Sequence, residues 1–233
     1  MGNTQIIRLN GGTSNIYLLK NGNNLLMIDA GNKDKTKSII KQLEKLNISI
    51  YDIHYILLTH THFDHCGSLK NLVDITKAKV IACELEKKNL EVGRKEIPLG
   101  VYGFSKTISH IGRKIFPGIA DYEPVNPDIC ISGKYDLSYL GFDAYVILTP
   151  GHTIGSLSIV VNDESIIVGD TMFNIFKKDV IPPYADDIEK LAESWSKIIA
   201  LKCSKYYPGH GNIFDNKKTK KSYDLLLKML HRG

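Results

Sequence analysis

Six consecutive residues, His60-Thr61-His62-Phe63-Asp64-His65, carry three imidazoles and one carboxylate. These groups are the usual protein ligands of zinc and neighbouring divalent metals, and so dense a cluster can serve two ions if distant loops complete the coordination. The chain must therefore fold so that further ligands reach this segment. The segment predicts a metal site and constrains the fold that surrounds it.

Three later segments offer such ligands. Each follows an apolar, strand-like run and places a glycine beside the ligand, so that the backbone can turn and direct the ligand back over the strand end. The segments are Pro150-Gly151-His152, Gly169-Asp170 and Pro208-Gly209-His210-Gly211. Isolated histidines are more often hydrogen-bonded residues than ligands, so His54, His110 and His231 are left out. The predicted metal ligands are His60, His62, Asp64, His65, His152, Asp170 and His210.

Some residues beside these ligands are expected to orient them or to be inert. Asp29 is predicted to fix a turn and orient a neighbouring histidine, and Thr59 and Thr149 are candidates for the same role. Asp64 can also cap the helix that follows it. Cys66 is expected to be a buried, inert thiol rather than a soft ligand.

The apolar pattern predicts strands and helices in both halves of the chain. Three short strands at residues 6–9, 15–20 and 24–29 read as an antiparallel meander. Further strands are predicted at 54–58, 80–82, 135–140, 142–149, 156–161 and 164–168. Helices are predicted at 33–46, 65–72 and 84–90, with two more late in the chain, one bearing an apolar stripe over 188–198 and one apolar over 225–230. This order favours two sheets face to face with helices outside.

The length predicts one domain over residues 1–233. Between residues 93 and 128 the periodicity breaks down. A stretch of this length predicts a lid or cap near the metals, with a helix at 106–114. The alternative is a surface loop that makes no contact with the site.

Composition limits the partners and the compartment. The net charge of +5 is spread over runs that acids interrupt, which indicates solvated helix faces and argues against a nucleic-acid partner. Four scattered cysteines and the absence of an apolar targeting stretch predict reduced thiols in the cytoplasm. No apolar run approaches the length of a membrane span, so no membrane partner is expected.

The ligand order, His-x-His-x-Asp-His followed by a later His, Asp and His, resembles the metallo-β-lactamase superfamily over nearly the full chain. The resemblance implies an α+β fold, the four-layer αββα sandwich, with two divalent ions at one edge of the sheets. Zinc is the expected metal, although iron and manganese accept the same ligands. One ion would be held by His60, His62 and His152, the second by Asp64, His65 and His210, and Asp170 would bridge the two.

Local sequence is similar to particular branches of this superfamily. The segment from Gly169 to Phe173 resembles the region around the bridging aspartate of glyoxalase II thioesterases. Homoserine-lactone lactonases are a further similar branch, although they carry tyrosine where this chain has Phe173. An aspartate at 170, where two-zinc β-lactamases typically use cysteine or lack the bridge, argues against antibiotic hydrolysis.

The expected function is hydrolysis of an ester, thioester or lactone of a small anionic molecule by a hydroxide that bridges the two metals. In such sites the shared water loses its proton near neutral pH. Asp64 is the predicted catalytic residue, which orients the hydroxide and passes its proton to the leaving group. Two Zn²⁺, two aspartates and one hydroxide leave a residual charge of about +1, which favours an anionic substrate.

Aromatic residues are expected to wall an apolar substrate pocket. Those after the bridging aspartate are Phe173, Phe176 and Tyr184, and those of the predicted lid are Tyr102, Phe104 and Phe116. Lys177 and Lys178 are either anion-binding or simply solvated.

Three other functions remain as alternatives to small-molecule hydrolysis. The first is a phosphodiesterase or nuclease of the same superfamily. The second is an iron-dependent redox member, and the third is a non-catalytic binding domain.

Overall fold

The computed structural model describes residues 3–96, 98–103, 105, 107 and 117–231 of the chain. Its strands form two six-stranded sheets. The first sheet has the order β1 to β6, with β1 Gln5–Asn10, β2 Asn15–Asn21, β3 Asn24–Ile28, β4 Tyr55–Leu57, β5 Lys79–Cys83 and β6 Ile129–Ile131. Strands β1 to β3 pair antiparallel, which confirms the predicted meander, and β3 to β6 pair parallel.

The second sheet runs from β12 to β7 in reverse chain order. Its strands are β7 Tyr135–Asp136, β8 Ala144–Leu148, β9 Leu157–Val161, β10 Ser165–Asn174, β11 Lys205–Gly211 and β12 Phe214–Asp215. All neighbours pair antiparallel except β10 and β11, which are parallel.

Six α-helices lie among the described residues: α1 Thr36–Lys45, α2 Phe63–Cys66, α3 Leu69–Thr76, α4 Lys87–Val92, α5 Ile188–Ala200 and α6 Asn216–Leu230. The helix predicted at 65–72 is two helices, because the backbone breaks at Gly67-Ser68. The helix predicted at 84–90 begins as a 3₁₀ turn before α4. None of these helices combines the length and apolar character needed to cross a bilayer.

The core is arranged in three apolar layers. Successive residues of a strand face opposite sides of a sheet, so Leu18 packs with α1 and α3 while Leu19 packs between the sheets. Trp195 of α5 and Leu226 of α6 pack on the outer face of the second sheet. Each sheet is therefore covered on both faces, which confirms the αββα sandwich.

Two predicted turns are in fact strand. Asp170 was expected just beyond a strand end, but β10 continues through it to Asn174, and β11 continues through His210 to Gly211. The two strands keep pairing as far as Phe173 opposite His210, with register shifts on either side of Gly169. Gly169 has a φ of +50°, and this kink directs the ligand without ending the strand.

The predicted strand at 135–140 is also shorter than expected. Only Tyr135–Asp136 is strand, and a 3₁₀ turn follows over Ser138–Leu140. The Asp136 carboxylate accepts a hydrogen bond of 2.9 Å from the Ser138 backbone N–H and so starts the turn.

Most of the predicted lid helix at 106–114 lies outside the described residues, as do Phe104, His110 and Phe116. The described ends of the segment are anchored. Gly93 accepts a backbone hydrogen bond of 2.8 Å from Tyr122, and Gly100 forms a bridge with Tyr184.

Candidate metal centre

The predicted ligands meet at the edge where strands of both sheets end. His60, His62, Asp64 and His65 follow β4, and His152 follows β8. The Leu157 backbone N–H donates a 2.8 Å hydrogen bond to the Thr59 carbonyl, which ties the two sheets together at this edge. Segments remote in sequence are thus brought to one place.

Four of the predicted ligands form a first group: His60, His62, His152 and Asp170. All four are buried, and their potential ligand atoms lie within 4.8 Å of one another. His152 Nε2 lies 2.9 Å from His62 Nδ1 and 3.4 Å from Asp170 Oδ2. His60 Nε2 lies 3.6 Å from the same carboxylate oxygen.

The other three predicted ligands, Asp64, His65 and His210, form a second group with the same 4.8 Å limit. His210 Nε2 lies 3.2 Å from Asp64 Oδ2 and 3.4 Å from His65 Nε2. Asp170 also reaches this group, with 3.3 Å from Oδ1 to His65 Nε2 and 3.4 Å from Oδ2 to His210 Nε2. It therefore lies between the two groups, where the sequence predicted a bridge.

The hydrogen bonds of the imidazoles suit a cation site. The Nδ1 atoms of His60, His65, His152 and His210 each face an oxygen at 2.8–3.0 Å, which assigns the ring proton to Nδ1 in the neutral form. Their Nε2 atoms converge around Asp170, where the rings in their neutral form would direct lone pairs at a cation. Within the described residues, His60 Nε2 and Asp170 Oδ1 are buried without a hydrogen-bond partner. Buried polar atoms are rarely left unpaired, so this donor set fits divalent cations.

Burial and neighbouring charges set the protonation of the site. Burial lowers the pKa of His60 well below its ordinary value, and the nearby His65 lowers it further. For Asp64, burial alone would raise the pKa, but His65 and His210 outweigh it and lower the pKa to about 2. The histidines, with His210 foremost, likewise hold the pKa of Asp170 well below its usual range against the opposing effect of burial. Both carboxylates are thus ionised, which is the form that binds metals.

Asp29 orients His65, as predicted. Its Oδ2 lies 2.8 Å from His65 Nδ1, and its Oδ1 accepts a 2.8 Å hydrogen bond from the Thr59 backbone N–H. The Thr59 hydroxyl donates to Asp29 Oδ2 at 2.8 Å and lies 3.0 Å from His60 Nδ1. One carboxylate therefore fixes a histidine of each group.

Thr149 does not have the orienting role that was expected. Its hydroxyl lies 2.8 Å from the Ser158 hydroxyl and accepts a 3.3 Å hydrogen bond from Thr171. Thr149 thus supports the strand that carries Asp170 and does not hydrogen-bond a predicted ligand directly. Cys66 is buried, and burial raises the pKa of its thiol well above the ordinary value, consistent with an inert thiol.

Replacing Asp29 by asparagine is expected to weaken zinc binding by about 10–100-fold, because histidine ligands depend on the groups that hold their second nitrogen. An amide presents one oxygen and one NH2 group, so only one of its two terminal atoms can accept, and the contact to either Thr59 or His65 is lost. Competition with a chromophoric chelator measures the change. Asp52→Asn, an exposed substitution away from the site, serves as control, and unchanged zinc affinity in the Asp29 variant would refute the role.

The predicted pocket residues take different positions. Phe173 stacks on His210 with ring centroids 4.4 Å apart, so it directly borders the second group. Tyr184 contributes its backbone, since its carbonyl accepts from His152 Nδ1 at 2.9 Å. Phe176 is half-buried and meets the Tyr102 ring edge-on at 6.2 Å.

Sequence reasoning missed two supports of the ligands. The Thr13 carbonyl holds His210 Nδ1 at 2.9 Å, and a backbone oxygen leaves no sequence signal. Glu86 is buried beside the loops that carry the first group. Its only signal is an acid three residues after β5 in an otherwise amphipathic run.

Fold and site together define a metal-dependent hydrolase. The sequence profile described as the metallo-β-lactamase superfamily matches residues 9–210. The chain belongs to that superfamily, which confirms the resemblance found in its ligand order.

Relatives of several kinds are similar to the chain. A probable metallo-hydrolase of Methanocaldococcus jannaschii is 31% identical over 219 residues, which cover 90% of this chain and 94% of the relative. A β-lactamase-like protein 2 homologue of Drosophila melanogaster is 26% identical, covering 87% of this chain but 60% of the relative. An atrochrysone carboxyl ACP thioesterase of Aspergillus fumigatus is 26% identical, and the match covers 94% of this chain and 56% of the thioesterase. The chain thus spans little more than half of the last two proteins.

A solved structure shares the fold. The metallo-β-lactamase superfamily protein ST1585 of Sulfolobus tokodaii matches with a TM-score of 0.67 and 24% identity, covering 99% of this chain and 87% of that protein. At this identity the similarity concerns the fold alone.

Proposed function

We propose that the chain is a dinuclear, zinc-dependent hydrolase that cleaves an ester, thioester or lactone of a small anionic molecule. The observation that carries the proposal is the convergence of four imidazole Nε2 atoms on one buried carboxylate, Asp170, at 3.3–3.6 Å. Two divalent ions bound there would supply a water of lowered pKa and a Lewis acid for the substrate carbonyl.

Each group of residues would hold one ion. The first ion is assigned to His60, His62 and His152, and the second to Asp64, His65 and His210, with Asp170 shared. Zinc is the metal that imidazole and carboxylate ligands of this kind commonly bind. The hydrogen bonds on Nδ1 keep the rings fixed before metal binds, so little rearrangement is needed.

Asp64 is the residue that we assign to proton transfer. Its Oδ2 lies 3.2 Å from His210 Nε2, and the charges of His65 and His210 keep Asp64 in its carboxylate form against the opposing effect of burial on its pKa. It is buried enough to be screened from bulk water yet is the more exposed of the two aspartates, at 13% against 4%. It can therefore orient the attacking water and return the proton to a leaving alkoxide or thiolate.

The surroundings of the site favour a substrate with an apolar part. Phe173 presents a ring stacked on His210 at the border of the site. The thioesterase name of the Aspergillus relative makes a thioester a natural candidate. Lys177 and Lys178 are exposed on the loop after β10, where water solvates their charges. The residual positive charge of the metal site would therefore be the main attraction for an anion.

We also propose that the chain is a single domain in which the described parts of the segment, residues 93–96, 98–103, 105, 107 and 117–128, cap this site. The Ala185 backbone N–H donates a 2.9 Å hydrogen bond to the Leu99 carbonyl, and the Val101 N–H donates one of 2.9 Å to Pro183. The segment 183–185 contains Tyr184, which holds His152. The start of the proposed cap is thus paired with a segment that positions a ligand.

The proposed function is tested with a panel of activated esters, thioesters and lactones. The zinc-loaded protein should turn over at least one class, lose that activity when dialysed against a chelator, and regain it on addition of zinc. Manganese and iron reconstitution in parallel identifies the preferred metal. A zinc-loaded protein inactive on all three classes would contradict the proposal.

A further inference from the structure

Glu86 is a buried carboxylate that the proposed chemistry does not use. It is only 1% exposed, at the end of the 3₁₀ turn that precedes α4. Burying a charge is costly unless it is hydrogen-bonded and paired. The hydrogen bonds and the ion pair that stabilise this buried carboxylate therefore indicate its structural role.

Each oxygen of Glu86 has partners from a different part of the chain. Oε2 accepts hydrogen bonds from the Thr61 hydroxyl and, at 2.8 Å, from Asn89 Nδ2. Oε1 accepts from the Gly155 backbone N–H at 3.2 Å and lies 3.6 Å from Lys95 Nζ. The carboxylate thus joins three segments.

Two of these segments carry all the imidazoles of the first group. Thr61 lies between His60 and His62, and Gly155 lies three residues after His152. The packing at Gly155 is close, since a Cβ there would lie 2.5 Å from Glu86 Cγ. One side chain therefore sets the spacing between the two loops that would hold the first ion.

The second group is held by other contacts. Asp29 fixes His65, the Thr13 carbonyl fixes His210, and the Ser14 hydroxyl donates a 2.6 Å hydrogen bond to the Asp64 carbonyl. These contacts come from the residue that follows β3 and from the connection between β1 and β2. A change at Glu86 should therefore affect the two groups unequally.

The third segment links Glu86 to the proposed cap. Lys95, which is 14% exposed, lies 3.8 Å from Asp186 Oδ2 as well as 3.6 Å from Glu86. The Asp186 backbone N–H donates a 3.1 Å hydrogen bond to the His152 carbonyl. Lys95 thus supplies the counter-charge for Glu86 and a second connection to the His152 loop.

We propose that Glu86 is a positioning residue that sets the geometry of the first metal group by bracing the His60–His62 loop against the His152 loop. The proposal rests on the proposed function, because it assumes that the group binds metal. Its role is separate from catalysis, since Glu86 contacts none of the predicted ligand side chains in its described hydrogen bonds and ion pairs.

The test measures the two zinc dissociation constants of Glu86→Gln by competition with a chromophoric chelator. The amide is nearly isosteric but carries no charge and cannot accept with both of its terminal atoms. The first-group constant should rise by about 10–100-fold, the usual effect of losing a support of metal ligands. The second should rise by less than the first, because Asp170 is shared by the two groups while the other supports of the second group are unchanged. Glu84→Gln, exposed and two residues away, should change neither.

Double variants assign the effect to a group. In the His210→Ala background, which removes the second site, Glu86→Gln should still raise the dissociation constant of the remaining zinc. In the His152→Ala background, which removes the first site, Glu86→Gln should not change the dissociation constant of the remaining zinc. Equal weakening of both constants, or of neither, would overturn the proposal. If Glu86→Gln does not fold, Thr61→Val removes only one of the hydrogen bonds to Glu86, the one from the Thr61 hydroxyl. It should also raise the first-group dissociation constant more than the second. A wild-type chain that binds no zinc would instead refute the proposed function.

Discussion

Replacing Asp170 by asparagine is expected to lower kcat/KM by about 10²–10⁴-fold, because removing one partner from a buried charge cluster costs about 3–5 kcal/mol. Asp170 is 4% exposed and lies within 3.6 Å of the Nε2 atoms of four histidines. The amide keeps the shape but loses the negative charge that faces both groups. Steady-state kinetics on whichever ester or thioester the wild type cleaves measures the loss.

Asp143→Asn removes the same charge from an exposed position outside the site and should retain wild-type activity. Zinc content should also fall in the Asp170 variant, because each group loses a shared ligand. An Asp170→Asn protein with full activity and full zinc content would show that the carboxylate does not join the two groups.

Replacing Gly209 by alanine is expected to disrupt the site through a single methyl group. The added Cβ would lie 2.1 Å from Asp170 Oδ1 and 2.9 Å from His65 Cε1, so the carboxylate or β11 must move. Overpacking of this kind costs about 1–3 kcal/mol of unfolding free energy. It should also displace Asp170 from His65 and so abolish binding of the second ion. Urea denaturation and zinc titration measure the two effects.

Gly133→Ala is the matched control, because a Cβ at Gly133 meets nothing within 4 Å and its φ is not positive. It should leave both stability and zinc binding unchanged. Normal zinc stoichiometry in Gly209→Ala would mean that β11 adapts and that the close approach is not needed.

The residues that the structure gathers at this site were predictable from sequence because their chemistry is local. Three imidazoles and a carboxylate within six residues have few structural uses, and glycine beside His152, Asp170 and His210 marked the remaining loops. Asp29 was predictable for a similar reason, as an acid at a glycine turn after an apolar strand. The meander of β1 to β3 was visible because its turns contain glycine and asparagine.

Other features depend on contacts between distant segments and were not predictable. Asp170 and His210 lie inside strands because β10 and β11 pair as far as Phe173 and His210, and pairing between remote segments leaves little trace in a local pattern. The Thr13 carbonyl is backbone and carries no sequence signal. Glu86 carries no local signal because its partners, Thr61 and Gly155, are 25 and 69 residues away.

Diffraction data collected across the zinc absorption edge from zinc-grown crystals test the dinuclear site most directly. Two anomalous peaks about 3.5–4 Å apart are expected. One should lie among His60, His62 and His152, and the other among Asp64, His65 and His210, with Asp170 contacting both. A site without anomalous signal in excess zinc, with the imidazoles turned away from Asp170, would contradict this expectation.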